Sequence, residues 1–137
     1  MRLETERLLI RPFVPEDEEE LFRALSDPEV MRFLEPPFSR EQTGAFLREA
    51  GLSSPPLIYA LERKDSGRLA GYCIFHPYDS PGEYELGWAL CRDCWGRGFA
   101  GEATKALIAQ AGRMGLESLV IEFCPEQGAS RRLAEKF

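Results

Sequence analysis

Within this 137-residue chain, the segment richest in chemistry is Trp95-Gly96-Arg97-Gly98-Phe99-Ala100-Gly101-Glu102. Small residues at 96, 98, 100 and 101 let main-chain N–H groups come close to a ligand. A helix starting here adds unpaired amide donors and a partial positive charge, so the segment suits a phosphate. A second candidate is Glu85, which shares one face of a strand with Gly87 and Ala89. One acid beside two minimal side chains leaves room for a ligand rather than core. A third is the set Cys73-x-x-His76 and Cys91-x-x-Cys94, whose spacing resembles a zinc site.

Two of these patterns have rival readings. Gly96, Gly98 and Gly101 spell G-x-G-x-x-G, and Glu122 lies about 20 residues on, as in a dinucleotide-binding fingerprint. That fingerprint belongs at the first turn of a βαβαβ unit, whereas several elements precede it here and only one strand and part of a helix follow. Arg92 to Trp95 also separate the strand from the first glycine. A nucleotide-dependent oxidoreductase is therefore disfavoured. The zinc reading fails on geometry: in a hairpin centred near Pro77 to Gly82, Cys73 pairs with about Leu86, leaving Cys91 roughly 17 Å away. Cys73 and His76 also point to opposite faces, so no metal is expected, and His76 becomes a strand-end residue.

Elements to position these groups are readable on either side. Residues 6–13 read as a strand, and Pro15 followed by acids, Leu21, Phe22 and Leu25 reads as an amphipathic helix. A helical stretch over 28–34 follows. Ser39 with Gln42 forms a capping box for a helix ending near Gly51. Residues 57–63 and 68–76 form a hairpin, and a loop containing Pro77, Pro81 and Gly82 leads to the strand 83–91. There Tyr84, Leu86, Trp88 and Leu90 face one way, with Glu85, Gly87 and Ala89 opposite. A helix over 99–114 carries Ala103, Leu107, Ala111 and Met114 on one stripe before Gly115, a strand covers 117–123, and the tail QGASRRLAEKF begins another helix. Counting the 28–34 stretch with the helix before it, the order β-α-α-β-β-β-α-β-α defines an α+β domain with a mixed sheet.

Composition narrows the class. The chain is 44% hydrophobic and 29% charged, within the range of globular proteins, and its length fits a single domain over 1–137. A net charge of −6 argues against nucleic acid as a partner. The acidic run Glu16 to Glu20 reads as a solvated first helical turn. No apolar run has the roughly 20 residues of a membrane span. The opening residues lack a secretion-signal pattern, so a cytoplasmic location with four free thiols is expected.

ELGWALCRDCWGRGFAGEATKALI resembles motif A of the GNAT superfamily of acyl-CoA-dependent N-acetyltransferases, in the form used by the branch that acetylates ribosomal-protein N-termini. ETERLLIRPFVPEDEEELFRALSDPEVMRFL resembles that branch's first strand and helices, and CPEQGASRRLAEKF its later segment. The three lie in the right order across nearly the whole chain. In this sequence Gln127 stands where the branch usually has Asn, and Ala134 aligns with a Tyr that many members use as an acid.

The resemblance implies an acyl-CoA N-acyltransferase fold and transfer of acetyl from acetyl-CoA to a primary amine, on a protein N-terminus or a small molecule. It places the pyrophosphate on backbone amides around Arg97, Gly98, Phe99 and Ala100, with Gly96 and Gly101 allowing the approach. Pantetheine lies along Trp88, Ala89 and Leu90, with Trp95 and Gln127 completing the cofactor contacts and a main-chain N–H near Leu90 receiving the thioester oxygen. Glu85 is then the base and Ser130 a donor to the departing sulfur. A non-catalytic acyl-CoA-binding protein of the same fold is the alternative. The family's sheet ordinarily continues with two more strands after the Glu-Lys helix, whereas this sequence stops at Phe137. The expectation is a bare edge on the 117–123 strand, covered in a homodimer, or a C-terminally short domain with an incomplete acceptor site.

Overall fold

In the computed structural model, residues 1–31, 36–78 and 80–121 are described in full and 122–123 and 131–136 by backbone alone. Strands β1 (Leu3–Glu4) and β2 (Leu8–Arg11) pair with each other, and a 3₁₀ turn at Pro15–Asp17 leads into helix α1 (Glu18–Leu25). Helix α2 (Pro28–Met31) is followed by α3 (Arg40–Phe46), which runs on as a wider π-type turn to Gly51. The expected capping box is formed: the Gln42 amide donates to Ser39 Oγ at 3.1 Å and the Ser39 amide to Gln42 Oε1 at 2.8 Å. Strands β3 (Ile58–Arg63), β4 (Leu69–Tyr78) and β5 (Ser80–Leu90) form an antiparallel meander. Helix α4 (Phe99–Arg113) crosses over to β6 (Ser118–Phe123), which runs parallel to β5, and β7 (Arg131–Lys136) closes a seven-stranded mixed sheet in sequential order.

Alternation along the strands builds two apolar layers. Leu8, Ile10, Leu61, Cys73, Phe75 and Leu86 pack under α4, on its stripe of Phe99, Ala103, Leu107 and Ala111. Ile58, Ala60, Tyr72 and Ala89 point to the other face, against Leu21, Leu25, Val30, Met31 and Leu47 of the first three helices. The acidic run is not simply solvated. Asp17 is buried and takes both ends of the Arg11 guanidinium at 2.8 and 3.0 Å, while Glu19 pairs with Arg40 and Glu20 with Arg23 and Arg68.

Two expectations are corrected. The turn between β4 and β5 is tighter than the prolines suggested: both strands run to Tyr78 and Ser80, so Cys73 lies opposite Trp88 rather than Leu86. Pro77 is tolerated because the register shifts at that point, and a bulge needs no N–H there. The tail is not helical over 131–136 but pairs antiparallel with β6, from Phe123↔Arg131 to Ser118↔Lys136. A helix this short is marginal in water, whereas the strand satisfies a row of β6 amides and carbonyls. The edge expected to be bare is therefore occupied, which removes the reason given for a dimer.

Candidate active site

A 3₁₀ turn at Arg92–Cys94 carries the chain from β5 to the glycine segment. Trp95 closes this turn, its indole Nε1 donating to the Leu90 carbonyl at 3.1 Å. Gly96 and Gly98 take φ of 71° and 81°, the left-handed region where only glycine sits without strain. Gly98 caps α4, and the first bond of the helix runs from the Glu102 amide to the Gly98 carbonyl at 3.1 Å. The amides of Phe99, Ala100 and Gly101 stand before that bond and aim out of the helix end. Gly96, Arg97, Gly98 and Gly101 are exposed, Phe99 is buried as the anchor, and a Cβ added at Gly96 or Gly101 would meet open space. The turn has the shape and the donors for a pyrophosphate.

Sequence reasoning missed what stands behind this turn. Arg7 donates from Nε to Glu102 Oε1 and from Nη1 to the Arg97 carbonyl, both at 2.8 Å, and its guanidinium lies 4.4 Å over the Phe99 ring. Its own amide and the Thr5 hydroxyl donate to Glu102 Oε2. Partial burial pushes the Glu102 carboxyl up, but the hydrogen bonds from Thr5 and Arg7 outweigh it and bring it below the ordinary glutamate value. The partners stand 95 residues apart, so no local pattern announces them.

Beside the turn the sheet parts. β5 is in register with β6 only from Glu83↔Ser118 to Leu86↔Ile121, although β5 runs on to Leu90 and β6 to Phe123. Along the diverging half lie Gly87, Trp88, Ala89 and Leu90. A Cβ on Gly71 would fall 2.0 Å from the Ala89 carbonyl oxygen, so that carbonyl is aimed at β4. Main-chain groups alternate in direction along a strand, so the Leu90 N–H is aimed the other way, into the parting. Trp95 on the Leu90 carbonyl agrees with this direction.

Glu85 sits opposite His76 across β4 and β5, with Oε2 3.2 Å from His76 Nε2. Both side chains are largely enclosed, at 16% and 23% exposure. His76 Nδ1 is 2.9 Å from the Pro77 carbonyl, which fixes the ring between that carbonyl and Glu85. The expected alternation is present, running Tyr72/Ala89, Ile74/Gly87, His76/Glu85 on the side of α1 to α3, but Gly87 and Ala89 are buried and Ala89 is part of the core under those helices rather than open to a ligand. Cys73 is fully buried on the opposite face from His76, and burial pushes its thiol up to about 12. Cys91 is likewise raised to about 12, chiefly by burial. Gln127 and Ser130 lie outside the described residues.

Sequence and fold comparisons define the class. Residues 7–137 match the model of the acetyltransferase (GNAT) domain. The chain is 30% identical to the uncharacterized N-acetyltransferase YnaD of Bacillus subtilis over 99% of its own length and 81% of that protein. The crystal structure of a GNAT-family acetyltransferase from Bacillus anthracis superimposes with a TM-score of 0.84 at 29% identity, covering 93% of this chain and 76% of the other. A Vibrio cholerae structure described as a ribosomal-protein-serine acetyltransferase is more distant, with a TM-score of 0.72 at 20% identity over 93% of this chain and 76% of the other, and shows likeness of fold alone. This chain belongs to the GNAT acetyltransferase family, which implies transfer of an acetyl group from acetyl-CoA.

Proposed function

We propose that the protein transfers acetyl from acetyl-CoA to a primary amine, on a protein N-terminus or a small molecule, by direct attack on the thioester. The observation that carries this reading is the parting of β5 from β6 beside the glycine turn. It begins just past Glu85, which is still paired with Val120, and runs along β5 to Leu90 beside the turn. When bound, the co-substrate supplies an activated acetyl group and a thiolate leaving group. The amides of Phe99, Ala100 and Gly101 hold the pyrophosphate, and Gly96 and Gly98 keep side chains out of its way. Trp88, Ala89 and Leu90 line the arm, and the Leu90 N–H donates to the thioester oxygen.

An α-ammonium has a pKa of roughly 8, so it loses one proton to become the neutral nucleophile at small cost near neutrality. Glu85 accepts that proton, directly or through one water, with His76 fixing the carboxylate. Ser130 is the donor we assign to the departing sulfur and Gln127 a further cofactor contact. We read residues 1–137 as one domain working in the cytoplasm. Cys73, Cys91 and Cys94 as buried free thiols support a reducing compartment, and no described helix is long and apolar enough to cross a membrane.

The test is thiol release from acetyl-CoA against a panel of α-amines, polyamines and aminoglycosides, beside calorimetric binding of CoA. Turnover on at least one amine is expected. Binding without turnover on any would leave only an acyl-CoA-binding protein, and no binding would remove the reading.

A further inference from the structure

Arg7 turns its whole side chain toward the back of the glycine turn. Nη1 holds the Arg97 carbonyl at 2.8 Å, Nε holds Glu102 at 2.8 Å, and Nη2 stands 3.3 Å from where a Cβ on residue 98 would lie. Below the guanidinium is the Phe99 ring. None of these atoms faces the outer side of the turn, where the amides of the first helical turn are aimed.

Three consequences follow from that placement. In a trans peptide the C=O and the next N–H point in opposite directions. With the Arg97 carbonyl drawn back to Arg7, the Gly98 N–H is turned outward, to join the donors of the helix end. Second, Glu102 puts a carboxylate in the first turn of α4, where it suits the helix dipole but opposes any anion bound at that end. Arg7 neutralises it at hydrogen-bond distance. Third, the guanidinium stands 3.3 Å from where a Cβ on residue 98 would lie, so a side chain there would press on Arg7 as well as being strained by the φ of 81°.

We propose that Arg7 is a positioning residue for pyrophosphate, which sets the peptide at 97–98 and cancels the Glu102 charge without touching the ligand. The proposal rests on the acetyl-CoA reading of the turn. Thr5 completes the device by fixing the second Glu102 oxygen. Arg7 is a surface residue, 42% exposed, so its replacement should be tolerated by the fold.

The test separates the two ends of the co-substrate. Arg7→Ala is expected to weaken calorimetric CoA binding by roughly 10- to 100-fold, the range for a lost charge-assisted contact. Its kcat/KM on acetyl-pantetheine, which has the thioester but no pyrophosphate, should fall less than threefold. Adding Glu102→Gln to Arg7→Ala should recover part of the CoA affinity, because the uncompensated carboxylate is gone. Arg7→Lys, which keeps the charge and loses the fork, should fall between wild type and Arg7→Ala, and it carries the test if Arg7→Ala does not fold. Equal losses on CoA and acetyl-pantetheine, or unchanged CoA binding, would overturn the proposal. Wild-type protein that binds no CoA would instead overturn the reading on which it rests.

Discussion

The glycine turn and the Glu85 face of the sheet put side chains to opposite uses. At the glycine turn the main chain faces the ligand, while Arg7, Glu102 and Phe99 brace it from behind. On the strand face the order is reversed: side chains carry the polar chemistry, with Glu85 and His76 3.2 Å apart beside the small, buried Gly87 and Ala89. A site made of main chain tolerates no side chain at its critical positions, whereas one made of side chains can change its chemistry by single substitutions. This predicts that the first end is fixed by backbone geometry and the second by proton chemistry.

The strongest way to break the comparison is Gly98→Val. It forces a β-branched residue to a φ of 81° and presses it on Arg7 Nη2. Strain of about 1–3 kcal/mol would be relieved by moving the turn itself. CoA binding by calorimetry should become undetectable while the melting temperature drops by only a few degrees. Retained binding would show that the turn is not the phosphate site.

Next in size is the acceptor end. Glu85→Gln keeps the shape and removes the proton acceptor, so turnover should fall about 100-fold, the lower range for general-base loss. CoA affinity should be unchanged. His76→Gln should cost about tenfold, again without an effect on CoA, since it acts through Glu85 at 3.2 Å. A CoA defect in either variant would blur the division between the two ends, and unchanged turnover would take that residue out of the mechanism.

How much of this was legible in the sequence depended on the range of the interaction that decides each feature. The alternation that puts Glu85, Gly87 and Ala89 on one face, the Ser39–Gln42 cap and the α4 stripe at Ala103, Leu107 and Ala111 are local periodicities and appear as read, whereas Met114, read as the end of that stripe, lies past the helix and is exposed. Arg131–Lys136 has helix-favouring composition, yet its pairing partner on β6 decides otherwise, and no local propensity reports a waiting edge. Pro77 and Pro81 look like breakers, but a bulge absorbs the first, and the hairpin register slips by two residues while the faces stay the same. Glu85 was found because its neighbours on the strand are conspicuously small. Arg7 was not, because its reason for being there lies at residues 97 and 102.

The smallest effect concerns the thiols on the braced side. Burial raises Cys73 and Cys91 to about 12, against roughly 8.5 for an unfolded thiol. Their folded values are raised, so the stability they contribute is complete below about pH 8.5 and is lost as pH climbs toward the folded value. In that window the unfolded chain sheds protons that the folded one keeps. By one unit above the free-thiol value each should cost about 1 kcal/mol, visible as a falling melting temperature between pH 8 and 10. Cys73→Ala and Cys91→Ala should each flatten that slope. Alkylation mapped by mass spectrometry should leave both residues unmodified at pH 8, with or without CoA, if the braced end is as rigid as its contacts imply. Rapid modification of Cys91 that CoA suppresses would mean instead that the turn forms only on binding, and that the ligand rather than Arg7 sets its geometry.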